Sequence, residues 1–471
     1  MNDDQQIAAL LTAAPPDPEP PLPPGLLEGL VPAARRDVRR RRATAALCAV
    51  VALLLGTGAL LLPAGGRDAA PARPSPGKAA GLPDRIAGYS PLTGSVSAAP
   101  PGRALLLYGY GNSEMFRTYQ TLVLGADAEV YRQLDAAPER TKPWLLSPDG
   151  RTVVLSEPDR EVAEVRVVDL ETGLTRQVPV PRPGGVVPLA LSPDGNTLAY
   201  SIVDMTPIAA EAARDAGRYV EWYATGHGEL MLLDLRTGQA TGTGIVPVSA
   251  AAFAPDGRRL VVQSELRTWL VGLDGQRQRE VMVPQGYGIT VHNAWSPSGL
   301  LLAVVPWRSE GLDSQRVYIF DSGTSGAVRT VSLAEPSVLR GTADTETFLG
   351  WLSDTEVLGH AWDYGSDTGA LSAVPLDGSP ARVLSRFDDS YRCEFGLQRC
   401  VPYEISVAAG LLPGLGTRPA EPADRGPWPV GFQVAALVTV AVLAAVTWLV
   451  RRRVRRRRTG VEAPRPAQDG G

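Results

Sequence analysis

The sequence predicts an all-β chain, a β-propeller flanked by two transmembrane helices, with six blades or seven if residues 82–100 contribute. Three observations carry this prediction. A Ser-Pro-Asp-Gly turn set among short apolar runs recurs along the middle of the chain. Two uncharged stretches, residues 43–62 and 430–450, each abut a run of arginines. The composition, with 49 Gly and 42 Pro in 471 residues, suits many turns and short strands.

The internal repeat decides the architecture and is read first. LLSPDGRTVVLSEPD followed by EVRVVDLETGLTRQVPV fills residues 145–180. LALSPDGNTLAYSIVD with ELMLLDLRTGQATGTGIV spans 189–246, and AAFAPDGRRLVVQSE with TWLVGLDGQRQREVMV spans 251–283. NAWSPSGLLLAVVPW with RVYIFDSGTSGAVRTVSL covers 293–333, and a diverged copy, FLGWLSDTEVLGHAW with ALSAVPLDGSPARVLS, covers 348–385.

Each copy reads as four short strands. Runs such as Thr152-Val153-Val154-Leu155 have the β-branched content and two-residue period of a strand. In S-P-D-G, proline presets φ for the turn and glycine accepts positive φ, so Asp149, Asp194 and Asp256 read as turn formers. A second turn follows an aspartate, from Asp169 to Gly173 and from Asp234 to Gly238. A four-stranded meander repeated at intervals of 42–62 residues makes a propeller blade. The remaining unit is split. Residues 103–135 supply three strand-like runs, and Glu404 to Ala409 supply a fourth from the far end, which closes the ring and covers an open edge.

The S-P-D-G turn, the strand after it and the D-L-x-T-G turn resemble the WD40-like repeat of TolB-type proteins, over residues 100–410. The resemblance implies the propeller fold and little about function, because such repeats serve unrelated tasks. The Gly-His and Trp-Asp signatures of true WD40 repeats are missing, and two membrane spans are unlike the soluble periplasmic TolB. A role in outer-membrane maintenance is therefore not carried over. The basic residues are nearly all arginine, Lys78 and Lys142 being the only lysines, a bias resembling GC-rich actinobacterial genomes.

Residues 43–62 and 430–450 are each long enough to cross a hydrocarbon core of about 30 Å. Arg39, Arg40, Arg41 and Arg42 precede the first, and Arg451, Arg452 and Arg453 follow the second. The positive-inside rule puts both termini in the cytoplasm and the propeller outside, in a multi-pass protein of the cell membrane. The expected division is a cytoplasmic tip (1–42), a span (43–62), a flexible stalk (63–85), the propeller (86–410), a linker (411–429), a span (430–450) and a basic tail (451–471). A cleaved signal peptide fits less well, given 42 residues ahead of the apolar run. Membrane lipids are expected partners at both spans. Nucleic acid is not, since residues 63–450 carry 32 basic and 42 acidic side chains. Cys393 and Cys400, on the outer face, are read as a disulfide.

The second copy carries an insertion, residues 204–228, whose Tyr219, Trp222, Tyr223 and His227 are candidate contacts for a ligand or partner. The same side chains can instead pack the insertion onto its own blade. His227, His292 and His360 fall in separate copies, and no G-x-S-x-G elbow or Walker A loop occurs. The chain is therefore read as not an enzyme, with no catalytic residue, metal or cofactor. The expected function is binding or sensing of an unknown extracytoplasmic protein or ligand at the cell envelope. Two rivals are an anti-sigma-like regulator, acting on a cytoplasmic partner through residues 1–42, and a metal-dependent lactonase-like hydrolase.

Overall fold

The computed structural model describes residues 80–459 apart from 89, 111–119, 138–143, 158–160, 206–225, 284–285, 291–292, 307–315, 322–327, 333–342, 364–367, 388–391, 394–397 and 400–401. The chain divides into two compact units, residues 66–430 and residues 1–65 with 431–471.

The first unit is built of antiparallel meanders that follow the repeat. Trp144–Leu146, Thr152–Leu155, Val162–Asp169 and the first half of Thr175–Leu191 form one. The same long strand continues as the first strand of the next, beside Thr197–Val203, Glu229–Asp234 and Ala240–Gly242. Ala250–Phe253, Arg259–Ser264, Arg267–Gly272 and Arg277–Val281 make the third copy. Tyr287–Ile289, Leu301–Pro306, Arg316–Asp321 and Val328–Ser332 make the fourth. Ala343–Ser353, Glu356–Asp363, Thr368–Pro375 and Arg382–Phe387 make the fifth.

The split sheet forms as the sequence predicts. Tyr403–Val407 lies antiparallel to Ala104–Tyr110, with Val407 opposite Leu106, and Gln120–Gly125 and Tyr131–Gln133 complete the sheet.

The turns show why these sequences stop and reverse. Ser147 Oγ accepts the Thr152 N–H at 2.9 Å and donates to Asp149 Oδ1 at 2.6 Å, while Gly150 takes φ 74°. In the second turn, Asp169 Oδ1 accepts the N–H groups of Glu171 and Thr172, both at 2.9 Å. Short polar side chains that bond their own backbone in this way favour turns over helix or sheet.

Core packing joins consecutive meanders and closes on itself. One cluster sets Leu145 and Val167 against Leu198 and Leu233, and the next sets Leu189 and Leu232 against Phe253 and Leu260. Two further clusters carry the contact on, through Ala252 and Trp295 and then Ala303 and Trp351. Leu358 and Leu371 then meet Leu106 and Leu122 of the split sheet, whose Leu107 and Val123 meet Val153 and Leu155 of the first meander. Burial of the leucines, valines and phenylalanine among them contributes roughly 1.5–3 kcal/mol each before the entropy cost of ordering them.

Residues 411–429, expected to be a linker, instead pack onto this body. Gly416–Arg418 pairs in parallel with Gly81–Pro83, and Leu412 is fully buried. Arg418 meets the buried Glu129 at 2.8 Å, and Arg132 meets Asp424 at 3.0 Å. The expected stalk likewise ends early, since Gly81–Pro83 and Arg85–Ile86 are strands. Arg85–Ile86 adds a parallel fifth strand beside Arg382–Phe387, and Ser95 bridges Gln133. Among the described residues of 82–100, Arg85–Ile86 and Ser95 extend the edges of existing sheets, and no four-stranded meander is formed.

In the second unit, the described residues form the helix Val430–Thr459, of which Val430–Arg453 is long and apolar enough to cross a membrane. At 1.5 Å per residue those 24 residues extend about 36 Å. Arg451, Arg452 and Arg453 are exposed on it, and the Arg452 guanidinium lies 5.0 Å from the Trp448 ring. The expected first span, the tip with Arg39, Arg40, Arg41 and Arg42, and residues 63–79 of the stalk lie outside the described residues.

Candidate functional site

The first strands of the meanders converge on one cavity of about 270 Å³. In the repeat, the residue just before the first turn (S-P-D-G in two copies, A-P-D-G and S-P-S-G in the next two) points into it. These are Leu146, Leu191, Phe253 and Trp295, with Trp351 and Val407 in the equivalent places of the diverged copy and the split sheet. Pro148, Pro193, Pro255 and Pro297, the prolines of the same turns, line it too. The turn thus has two roles. It reverses the chain, and it holds one apolar side chain and one rigid ring at the axis.

The indole and amide N–H groups at this cavity are already engaged. Trp295 donates its indole N–H to the Ala252 carbonyl at 3.2 Å, and Trp351 donates to Ala294 at 3.1 Å. Asn293 Nδ2 donates to the Leu349 carbonyl at 2.9 Å. Among the described residues, no charged side chain is part of the lining. Such a wall binds by shape and by release of water from apolar surface, as ligand cavities commonly do.

Of the sequence-predicted contacts, only His227 lies among the described residues, and it is not part of the lining. Tyr219, Trp222 and Tyr223 lie outside the described residues, while His227 is exposed just before the strand Glu229–Asp234. Arg182 holds the two ends of the insertion together, pairing with Asp204 and, at 3.5 Å, with Glu229. Cys393 faces Gln398 in a two-stranded ladder; Cys400 lies outside the described residues, and no disulfide is present among them. His292 is also outside them, and the described residues hold no cluster of three or more His, Cys, Asp or Glu suited to a metal.

His360 is a different case. It is buried within the strand Glu356–Asp363, its ring 5.6 Å from Phe387 in an edge-to-face contact. Its Nε2 has no hydrogen-bond partner among the described residues, and burial lowers its pKa to about 4. Nearby, burial pushes the Glu129 carboxyl up against the opposing pull of the Tyr131 hydroxyl and Arg418. Burial likewise raises the phenols of Tyr108 and Tyr131.

With this geometry established, the chain can be set beside known proteins. The strand order and the converging first strands define a β-propeller, in keeping with the TolB-type repeat. No protein-family model matches the sequence, and no curated protein matches it. Solved structures do. TolB from Acinetobacter baumannii is similar at 17% identity and TM-score 0.36, over 60% of this chain and 66% of that one. An oligogalacturonate lyase in complex with manganese is similar at 20% identity and TM-score 0.40, over 63% of this chain and 82% of that one. A structure from a study of two prolyl endopeptidases is similar at 15% identity and TM-score 0.34, over 62% of this chain and 44% of that one. At these identities the likeness concerns the fold alone.

One expectation is corrected by this comparison. The chain was read as not an enzyme because familiar catalytic motifs are missing, yet the similar structures include lyases and an endopeptidase. Missing motifs on a propeller do not exclude catalysis, since function resides in sites placed on a fold that many activities share.

Proposed function

We propose that this chain is a membrane-tethered propeller of six blades whose axial cavity binds an apolar group of an extracytoplasmic protein or ligand. The observation that carries the reading is the convergence of Leu146, Leu191, Phe253, Trp295, Trp351 and Val407 on one cavity in which the described residues place no charge. The count of six follows the five copies of the repeat plus the split sheet, and the core clusters that join them end to end support it. The arginines after Val430–Val450 and those before residue 43 support two spans, with both termini in the cytoplasm. Tyr219, Trp222, Tyr223 and His227 stand as further contacts on the same partner. The module would sense or hold that partner at the cell envelope.

The test uses the full chain in its native membrane. A photoreactive residue at Pro255, in the cavity wall, is compared with one at Leu174, an exposed turn residue. A discrete adduct from Pro255 and none from Leu174 supports the reading; equal labelling from both sites, or none from either, defeats it. Protease added to intact cells should digest the propeller and spare a tag at the carboxyl terminus.

A further inference from the structure

We propose that residues 408–426 act as one cooperative strap, joining the rim of the axial cavity to the chain that enters the membrane helix, so that a disturbance at either end is felt at the other. The inference takes its biological meaning from the binding role proposed for the cavity; the coupling is a property of the folded chain itself.

The strap starts at the cavity, where Val407, Ala409, Gly410 and Pro413 are part of the wall. The Gly410 N–H donates to the Pro148 carbonyl at 2.9 Å, and a Cβ on Gly410 would stand only 2.8 Å from that same oxygen. The buried Leu412 presses on Gly350, where an added Cβ would lie 2.7 Å from Leu412 Cδ1. This end is therefore wedged between the first meander and the fifth. The Leu415 N–H then bonds back to the Leu412 carbonyl at 2.9 Å, leaving no slack before Gly416–Arg418 joins Gly81–Pro83.

The far end is clamped by charge. Arg418 binds Glu129 at 2.8 Å, and the Asp424 N–H donates to the Glu129 carbonyl at 2.8 Å. The Tyr131 N–H donates to the Asp424 carbonyl at 2.8 Å, and Arg132 holds the Asp424 carboxylate at 3.0 Å. Gly426 lies against the Arg132 guanidinium, whose carbon would be 2.9 Å from an added Cβ. Only Pro427, Trp428 and Pro429 then precede Val430. Opening one part of the strap strands a buried charge or a tight contact in the next, so partial opening is costly and the segment opens as a unit.

The alternative is a strap that merely covers the edge strand Tyr131–Gln133 and frays piecemeal. Native-state hydrogen exchange on the full chain in lipid nanodiscs separates the two. Coupling is reciprocal, so a change at either end has a remote effect. Gly410→Val, at the cavity end, is expected to speed exchange of the Asp424 and Gly426 amides about tenfold. Arg418→Met, at the other end, is expected to speed exchange of the Gly410 amide by about the same factor. Amides of the strand Arg259–Ser264 serve as the control and should stay within about twofold of wild type. Remote amides that keep their wild-type rates in both variants overturn the proposal. If Gly410→Val also loosens the control strand, the wild-type chain decides: the Gly410, Leu415, Asp424 and Gly426 amides must share one opening free energy, and a scatter of opening constants beyond about tenfold overturns the proposal. Neither measurement uses a ligand or depends on topology, so failure of the binding reading leaves this result standing.

Discussion

Trp295 reaches out of its own meander to donate its indole N–H to the Ala252 carbonyl of the preceding one, 3.2 Å away. Trp351 makes the same reach to Ala294 at 3.1 Å. Each indole therefore fills the axis, packs between sheets and satisfies its only polar atom within the protein. Trp295→Phe keeps most of the packing and loses the bond, and should lower stability by about 1 kcal/mol. Trp295→Ala also leaves a hole and should cost about 3–5 kcal/mol. Urea unfolding of the full chain in mild detergent reads both; a phenylalanine variant as unstable as the alanine one would assign the effect to the bond instead.

Gly150 and Gly244 both hold positive φ, 74° and 63°, but their surroundings differ. A Cβ on Gly150 would lie 2.1 Å from the Ala104 carbonyl oxygen, whereas nothing stands within 4 Å of one on Gly244. Gly244→Ala should therefore show only the conformational penalty, about 1–2 kcal/mol. Gly150→Ala adds a clash and displaces the 2.7 Å bond from the Ala104 N–H to the Gly150 carbonyl, and is expected to cost about twice as much. Equal midpoints in thermal unfolding would show that the turn can shift without penalty.

Acid should weaken the fold through His360. Unfolded, this imidazole takes a proton near pH 6.5; folded, burial holds it neutral down to about pH 4. Between those values the unfolded chain holds more protons, so the contribution is complete above pH 6.5 and is lost as the pH falls towards 4. The loss should approach about 1.4 kcal/mol per pH unit, or about 3 kcal/mol across the window. The raised carboxyl of Glu129 acts in the opposite sense, contributing stability at low pH that is lost as the pH rises through its folded value. The measurement is therefore the difference between wild type and His360→Phe, in urea midpoints taken from pH 4 to 7. No pH dependence in that difference would mean that the imidazole titrates normally in the fold.

Arg418→Met should leave the buried Glu129 carboxyl without its counter-charge, at a cost of about 3–5 kcal/mol. Adding Glu129→Gln to that variant removes the stranded carboxyl and should restore part of the loss. Arg103→Met, at a pair with Asp127 that is partly exposed on both sides, should cost under about 1 kcal/mol. A double-mutant cycle by chemical unfolding compares the two pairs, and equal coupling energies would contradict the assignment.

The architecture was largely legible in the residues because local rules and global fold agree. S-P-D-G followed by apolar residues announces a turn and a strand, and three strand-like runs at 103–135 without a fourth point to Glu404–Ala409, whereas the register of Val407 on Leu106 belongs to the structure. The cavity was less legible. Leu191, Phe253 and Trp295 read as core side chains, and it is the closed ring that brings the position before each first turn to the axis. The strap was not legible at all. Its Pro- and Gly-rich composition is that of a linker, and what docks it are contacts such as Gly81 with Gly416 and Glu129 with Arg418, between residues far apart in the chain.

The sheet assembled from both ends of the body also bears on how the protein is made. Leu106 leaves the ribosome about 300 residues before Val407, its eventual neighbour across the ladder. Until translation passes that point, Ala104–Tyr110 has no inner partner, and its backbone groups are open to pairing with any passing strand. Completion of the fold is thus postponed until the segment carrying Val407 has been made, and a product terminated before it keeps a sticky border for proteases and holdases to recognise.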